Sequence, residues 1–294
     1  MRAQSLGYWA AWQASQVLPS SVAFGIAQRL ADAQWRRAGH DREAVAQNLS
    51  TICGARVGGA SPRVREVFRH FARYLVEFFT MHAVAHPDIT IEGADAFEQA
   101  QQRGRGVLLL TAHVGNWELG AVTVRRMGVP MTVIALPHED PAMDRLFTTQ
   151  RRRCGLDVLP LGLETTRRSL RALHAGECLG ILGDRVFAGQ HVMVPWCGGT
   201  APMPPGPAVL SLRSGAPLVP TFMIRETQRP WTFRLRFESP MWPDAYRAET
   251  NSIRRMTIAA AHVLEHAVRR DPEQWLMFRS IHSVLQNVLT DVRS

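Results

Sequence analysis

From residue 89 to residue 183, short β-rich runs alternate with segments of helical spacing, and this alternation constrains the fold more than any other feature. The runs are ITIEG at 89–93, VLLLT at 107–111, MTVIAL at 131–136, LDVLPL at 156–161 and CLGILG at 178–183. Strands that alternate with helices pair in parallel, because each helix returns the chain across the sheet. We therefore predict an α/β fold with a mostly parallel central sheet flanked by helices.

The segments on either side extend this prediction. Ser61 and Pro62 provide a helix cap and a first-turn proline. They precede an apolar stripe typical of a core helix, formed by Val64, Phe68, Phe71, Leu75, Phe78 and Phe79. The runs PLVPTFMI and WTFRLRFE predict further strands, and Asp271-Pro272-Glu273 predicts a helix start. No Gly/Ser-rich linker divides residues 41–294, so we predict one domain there.

The charge of the chain limits its partners. The net charge is +9, and all 34 basic residues are arginine. Such a surface attracts phospholipid headgroups, nucleic acid or acidic proteins. The absence of lysine excludes Schiff-base chemistry and a Walker-type phosphate loop. The four cysteines are widely spaced, without a C-x-x-C pair, and fit a reducing compartment.

Residues 1–40 predict two short amphipathic helices interrupted at Pro19. No stretch of about 18 uninterrupted apolar residues occurs, so no transmembrane helix is predicted. The segment is rich in aromatic side chains, namely Tyr8, Trp9, Trp12 and Trp35. With the neighbouring arginines they either lie in a lipid interface or pack against the domain.

The stretch LLLTAHVGNWELG at 108–120 is the clearest chemical motif. On one continuous helix, His113 and Glu118 would point about 140° apart. A strand ending at Thr111 and a helix beginning near Asn116 would instead bring both side chains to one point, as a base and its orienting acid require. The alternative is a strand-to-helix junction, with a solvated histidine and Glu118 complementing the helix dipole.

Three further groups are candidates for substrate contact, namely Arg151, Arg152 and Arg153; Asp184 and Arg185; and the backbone near Gly206. The arginine cluster ends a predicted helix, where it either stabilises the negative end of the dipole or holds a phosphate. The second group follows the predicted strand CLGIL, where α/β proteins place ligand groups. The third lies in the Gly/Pro-rich stretch before a helix, which either exposes N–H groups to an anion or forms a rigid turn.

Other catalytic signatures are absent from the sequence. It contains no G-x-S-x-G elbow, P-loop or G-x-G-x-x-G fingerprint. The stretch HVLEH at 262–266 matches H-x-x-E-H, which on a helix can bind zinc. A third ligand should follow well downstream, and the nearest acids are Glu273 and Asp291. We predict no metal and no cofactor.

The order of these motifs along the chain is more informative than any one of them. The series comprises DREAVAQNL at 41–49, His113-x4-Glu118, the arginine cluster with Gly155, Gly183-Asp184-Arg185, Pro195–Gly199 with the MPPGPA stretch, and Pro272-Glu273-Gln274-Trp275. Over nearly its whole length the chain resembles the late acyltransferases of lipid A biosynthesis, the lauroyl/myristoyl family, and their relatives that acylate phosphatidylinositol mannosides. The resemblance implies the lysophospholipid acyltransferase-like superfamily, with a glycerol-3-phosphate acyltransferase-like α/β fold and amphipathic amino-terminal helices.

The resemblance also implies a reaction, the transfer of a fatty acyl chain from a thioester donor to a hydroxyl of a glycolipid or phospholipid. The donor would be acyl carrier protein or coenzyme A. His113 would act as general base with Glu118 orienting it, while Asn116, the arginines, Asp184 and Gly206 would contact substrate. The implied location is the anionic cytoplasmic face of the bacterial inner membrane. The chain would be held there peripherally by residues 1–40, with no nucleic-acid partner.

The chain departs from the lipid A members of this family in two ways. Pro19 breaks the amino-terminal segment, and Arg185 directly follows Asp184, as in the mannoside-acylating relatives. The mode of membrane attachment and the acceptor therefore stay open. Two other functions also stay open, a thioesterase or lipid hydrolase that uses the same base on water, and a non-enzymatic basic protein that coats anionic lipid.

Overall fold

The computed structural model describes residues 3–84, 87–186, 190–227, 231–248 and 250–281. Its strands are β1 Asp88–Glu92, β2 Val107–Thr111, β3 Met131–Ala135, β4 Asp157–Pro160, β5 Cys178–Leu182, β6 Val192–Trp196, β7 Gly199–Met203, β8 Leu218–Arg225 and β9 Thr232–Phe237. Its helices are α1 Ala3–Val17, α2 Ser20–Arg37, α3 Gly39–Cys53, α4 Pro62–Thr80, α5 Ala94–Gln102, α6 Trp117–Arg126, α7 Pro141–Arg153, α8 Thr165–His174, α9 Gly206–Ser214, α10 Asp244–Arg247 and α11 Ser252–Arg270.

The central sheet has seven strands in the order β1-β9-β8-β2-β5-β3-β4. Strands β8 and β9 pair antiparallel, and every other neighbouring pair of described strands in this sheet is parallel. The predicted α/β fold with a mostly parallel sheet is therefore confirmed. Strand β2 shows why the central runs are apolar throughout. Leu109 packs into the hydrophobic cluster on one face of the sheet and Leu108 into the cluster on the other, so both faces are buried.

Helix α4 begins and packs as its sequence predicts. The Ser61 hydroxyl accepts a hydrogen bond from the backbone N–H of Arg63 at 3.3 Å, and Pro62 occupies the first turn. Val64 and Phe68 are buried in one cluster beneath the helix, and Phe78 in another. The apolar stripe therefore belongs to the core.

Two segments differ from the sequence-based expectation. Strands β6 and β7 form an antiparallel hairpin within the Gly/Pro-rich stretch that we expected to be loop. Cys197 and Gly198 both have positive φ, at 49° and 81°, as a tight hairpin turn of this kind requires. The predicted helix start at Asp271 is only a 3₁₀ turn, Pro272–Gln274, because Trp275 turns to an extended conformation and pairs with Val114.

The two amino-terminal helices break at Pro19 as predicted. Helix α2 buries Ala23, Phe24, Ala27 and Ala31, and it packs on α4. Its opposite side leaves apolar residues in solvent, namely Val22, Ile26 and Leu30. None of the described helices combines the length and the apolar character needed to cross a bilayer.

The aromatic residues of this segment divide between the two roles that the sequence left open. Tyr8 and Trp12 pack against a core cluster, and the Trp35 indole donates to the carbonyl of Gly59 at 3.0 Å. Trp9 is about half exposed, at 47%. Most of these side chains therefore stabilise the domain, and Trp9 alone of the four is exposed.

Candidate active site

A cleft of about 1620 Å³ opens at the carboxyl ends of β2, β3 and β5. Thr111, His113 and Leu182 lie on its floor, at or just beyond the ends of these strands. Its inner wall is apolar and includes Ala121, Val124, Met131, Val133, Met143 and Phe147. The carboxyl end of a parallel sheet is the usual position for ligands in α/β proteins.

His113 is fixed by the strand, turn and helix that its sequence predicts. Strand β2 ends at Thr111 and α6 begins at Trp117. Gly115 between them has φ of 66°, and a Cβ on it would lie only 2.0 Å from the carbonyl oxygen of Met223. Only glycine fits this turn, and the turn directs the His113 side chain, 14% exposed, to the cleft.

Asp184 is the carboxylate that contacts His113. Its Oδ1 lies 2.7 Å from Nδ1 of His113, and its Oδ2 accepts the His113 backbone N–H at 2.9 Å. The Trp275 indole N–H donates to the same Oδ2 at 2.8 Å. Thr111 pairs with Leu182 across β2 and β5, so both residues follow neighbouring strand ends.

The charge state of Asp184 sets the tautomer of His113. Burial raises the pKa of Asp184, but the neighbouring His113 and the hydrogen bonds from His113 and Trp275 outweigh it and hold that pKa below its usual range. An ionised carboxylate can only accept hydrogen bonds, so Nδ1 of His113 carries the proton. In the neutral ring Nε2 is then the unprotonated nitrogen, on the opposite edge of the imidazole. A histidine held in this way is suited to accept a proton.

Glu118 does not contact His113, contrary to the prediction that it orients the base. Its carboxylate faces the end of α7, where Nε of Arg151 lies 3.1 and 3.0 Å from the two oxygens and the terminal nitrogen lies 2.6 Å from Oε1. Glu118 lies in the first turn of α6, and its carboxylate is occupied by the guanidinium of Arg151 on α7. The pair forms part of the cleft wall.

Asn116 and Asp184, both predicted to contact substrate, are buried under the site. The Asn116 side chain caps α6 by accepting the Leu119 N–H at 3.0 Å, and it donates to Glu77 at 2.8 Å. Glu77 is itself paired with the buried Arg225. The Asp184 side chain is fully buried beneath His113. Both residues therefore support the turn that carries His113 from behind it.

The three arginines of the cluster lie in the last turn of α7, but they face different surroundings. Arg151 lies in the cleft wall, whereas Arg152 is exposed and outside the cleft. The Arg153 guanidinium lies over the ring of Trp12, 5.8 Å from its centre. Helix α7 ends at Arg153, so the position of the three arginines also fits the alternative role, in which they stabilise the negative end of the helix dipole.

Arg185 and Gly206, both predicted to contact substrate, line the cleft. Burial lowers the pKa of Arg185, and the nearby Arg279 lowers it further. Arg279 also lines the cleft and was not identified from the sequence. Two guanidinium groups close enough to repel each other form a region of positive potential that attracts an anion.

Trp275 is the other functional candidate that sequence reasoning missed. The sequence did contain it within a recognised motif, because Pro272-Glu273-Gln274-Trp275 was one of the motifs that carried the family resemblance. No role followed from the motif alone, since the indole reaches Asp184 only through the fold.

The H-x-x-E-H segment lies on α11 and gives no metal geometry. Glu265 pairs with Arg269 at 2.8 Å, and Glu273 pairs with Arg63. Asp291 lies outside the described residues. Within the ranges that the structure covers, no group of three His, Cys, Asp or Glu side chains is placed to hold a metal ion.

A histidine–aspartate pair in a cleft with an apolar inner wall is an arrangement typical of enzymes that act on lipid chains. The chain matches the family of bacterial lipid A biosynthesis acyltransferases over residues 2–281, and it belongs to that family. It is accordingly an O-acyltransferase, with an acyl donor and a lipid acceptor as its substrates. The resemblance seen in the sequence is confirmed.

Individual relatives come from both branches of the resemblance. A phosphatidylinositol mannoside acyltransferase of Mycolicibacterium smegmatis is 29% identical over 223 residues, which cover 73% of each chain. One of Mycobacterium tuberculosis is 26% identical over 286 residues, 92% of this chain and 86% of the relative. A lipid A biosynthesis palmitoleoyltransferase of Escherichia coli is 27% identical over 250 residues, 80% of this chain and 76% of the relative.

Proposed function

We propose that this chain transfers a fatty acyl group from a thioester donor to a hydroxyl of a glycolipid or phospholipid, with His113 as general base. The observation that carries the proposal is the hydrogen bond of 2.7 Å between His113 and the buried Asp184 at the head of the cleft. We assign Asp184 the orienting role, because it holds the proton on Nδ1 and stabilises the imidazolium that forms.

The proposed reaction uses one base for two proton transfers. Nε2 of His113 takes the proton of the acceptor hydroxyl while the hydroxyl oxygen attacks the thioester carbonyl carbon. The tetrahedral intermediate then collapses, the carbon–sulfur bond breaks, and the imidazolium returns the proton to the departing thiolate. The products are the acylated lipid and the free thiol of the carrier.

The shape of the cleft supports this assignment of substrates. Its apolar inner wall suits a fatty chain, because hydrocarbon removed from water contributes about 0.8 kcal/mol for each CH₂ group. Arg185 and Arg279 suit the phosphate of a donor or acceptor. We propose that Glu118 remains important as the partner of Arg151, because the pair shapes the wall between α6 and α7.

We further propose peripheral attachment to an anionic membrane, on the cytoplasmic face of the bacterial inner membrane. Residues 1–40 support this with the exposed stripe of α2 and with Trp9. The rim of the cleft offers a second contact, since Leu136 and Leu161 follow the adjacent strands β3 and β4 and both are exposed. Leu163, two residues further on, is fully exposed. Apolar residues on a chain of charge +9 fit a lipid interface.

Family membership favours an enzyme over a non-enzymatic basic protein. The remaining alternative is hydrolysis of the donor by the same base. To separate the two, purified protein is incubated with palmitoyl-coenzyme A or palmitoyl-acyl carrier protein, with and without phosphatidylinositol mannosides or a lipid A precursor, and the products are analysed by mass spectrometry. We expect one added acyl group on one acceptor, with an equal amount of free thiol. Equal release of free fatty acid with and without acceptor would indicate a thioesterase instead.

A further inference from the structure

We infer that Trp275 is a positioning residue for this reaction, because its indole N–H holds Asp184 in the orientation that serves His113. The inference rests on the proposed role of His113 as general base. It assigns a function to a residue that touches no part of the cleft surface, since Trp275 is only 2% exposed and lies behind the aspartate.

The hydrogen bonding of Asp184 shows what the indole contributes. Oδ1 accepts from the His113 ring, while Oδ2 accepts from two donors, the His113 backbone N–H and the Trp275 indole N–H at 2.8 Å. The two donors to Oδ2 fix the rotation of the carboxylate and therefore the direction in which Oδ1 faces the ring. Without the indole, one donor remains to set that rotation.

Backbone hydrogen bonds join the segment that carries Trp275 to the segment that carries His113. Val114 and Trp275 form an antiparallel bridge. The Leu276 N–H donates to the carbonyl of His113 at 2.7 Å, and the Gly115 N–H donates to the carbonyl of Gln274 at 3.0 Å. The histidine and the indole therefore lie on two short segments that are hydrogen-bonded to each other, and the aspartate bridges their side chains.

The neighbouring Trp196 provides a matched control. It is 1% exposed and its ring lies 6.1 Å from that of Trp275, so both indoles share one core cluster. The Trp196 indole nitrogen is also buried, but it has no hydrogen-bond partner among the described residues. Replacing either tryptophan with phenylalanine removes the same atoms from the same cluster, and only one replacement takes a donor from Asp184.

The test compares Trp275→Phe with Trp196→Phe in steady-state acyl transfer. We expect Trp275→Phe to lower kcat by about 10- to 100-fold, as for loss of a hydrogen bond to a charged group, with the donor KM within about 2-fold. The acidic limb of its pH–rate profile should move to higher pH, because a carboxylate that loses a donor is a stronger acceptor for the imidazolium. Trp196→Phe should leave kcat and the profile within about 2-fold of the parent.

A double variant separates positioning from general loss of structure. In the Asp184→Asn background, Trp275→Phe should reduce kcat by less than about 2-fold further, because the carboxylate that it serves is already gone. Equal effects of the two phenylalanine variants, or a full additional loss in the double variant, would overturn the inference. The proposed role of His113 as general base is tested separately, and it fails if folded His113→Ala retains transfer.

Discussion

Replacing Asp184 with asparagine should remove most of the activity, and replacing Glu118 with glutamine should remove much less. Asparagine keeps the shape of Asp184 but loses its charge, and its NH₂ group takes the place of one acceptor oxygen. That group then faces either the His113 ring or the two donors to Oδ2, and it can accept from neither. A hydrogen bond to a charged group contributes about 1.5 to 3 kcal/mol, and a buried donor left unpaired costs about 1 to 3 kcal/mol. Together they correspond to a loss in kcat of about 10² to 10⁴-fold.

Glu118→Gln removes a different interaction. It breaks the charge pairing with Arg151, whose side chain is 13% exposed, so the main expected effect is a lower free energy of unfolding by about 3 kcal/mol or more. Transfer measured well below the melting temperature should fall by less than about 10-fold, because His113 keeps its partner.

The assay is the initial rate of acyl transfer with saturating donor, together with thermal unfolding of each variant by circular dichroism. Asp184→Asn is expected to lose rate while remaining folded, and Glu118→Gln to lose stability first. A larger loss of kcat in Glu118→Gln than in Asp184→Asn, both fully folded, would refute the assignment of Asp184 and restore Glu118 as the orienting acid.

Three further predictions concern donor capture, membrane contact and pH. Changing Arg152 and Arg153 to Glu should raise the KM for the donor and make that KM less sensitive to salt, with little change in melting temperature. A lower melting temperature at constant KM would show instead that these arginines stabilise the fold. Leu161→Glu should reduce co-sedimentation of the protein with phosphatidylglycerol vesicles at least about 5-fold. The control Ile253→Glu, on α11, should not, although Leu161 and Ile253 are both 41% exposed. Equal losses in the two variants would show that the rim of the cleft does not contact the membrane. Burial lowers the pKa of His70 to about 3, so protonation favours the unfolded chain as the pH falls below about 6.5. Between pH 7.5 and 5, the free energy of unfolding should therefore fall by about 2 kcal/mol less in His70→Gln than in the parent, as measured by urea unfolding at each pH. The same pH dependence in both proteins would contradict this.

Local pattern in the sequence was enough to predict the elements that carry the site. The apolar run before His113 is a strand, Asn116 begins a helix, and the turn between them faces the cleft. These features depend on periodicity and capping within a few residues, which the sequence displays directly.

The partner of His113 was not predictable in the same way. Choosing between Glu118 and Asp184 requires knowing that β5 lies beside β2, and strand order depends on how the whole chain folds. The hairpin of β6 and β7 was missed because its glycines and prolines resemble a loop until the two strands are paired. Long-range contacts likewise bring Trp275 to the site, from a position 91 residues after Asp184 along the chain.

The central claim, that His113 is the base for transfer to a lipid hydroxyl, is tested most directly by following both products of a single reaction in His113→Ala. The measurement is the amount of acylated acceptor and of free thiol formed from an acyl thioester, for the variant and the parent at equal concentration. We predict at least about a 10²-fold loss of both products, in equal measure, with an unchanged melting temperature. Acylated acceptor formed by folded His113→Ala at a rate near that of the parent would contradict the claim.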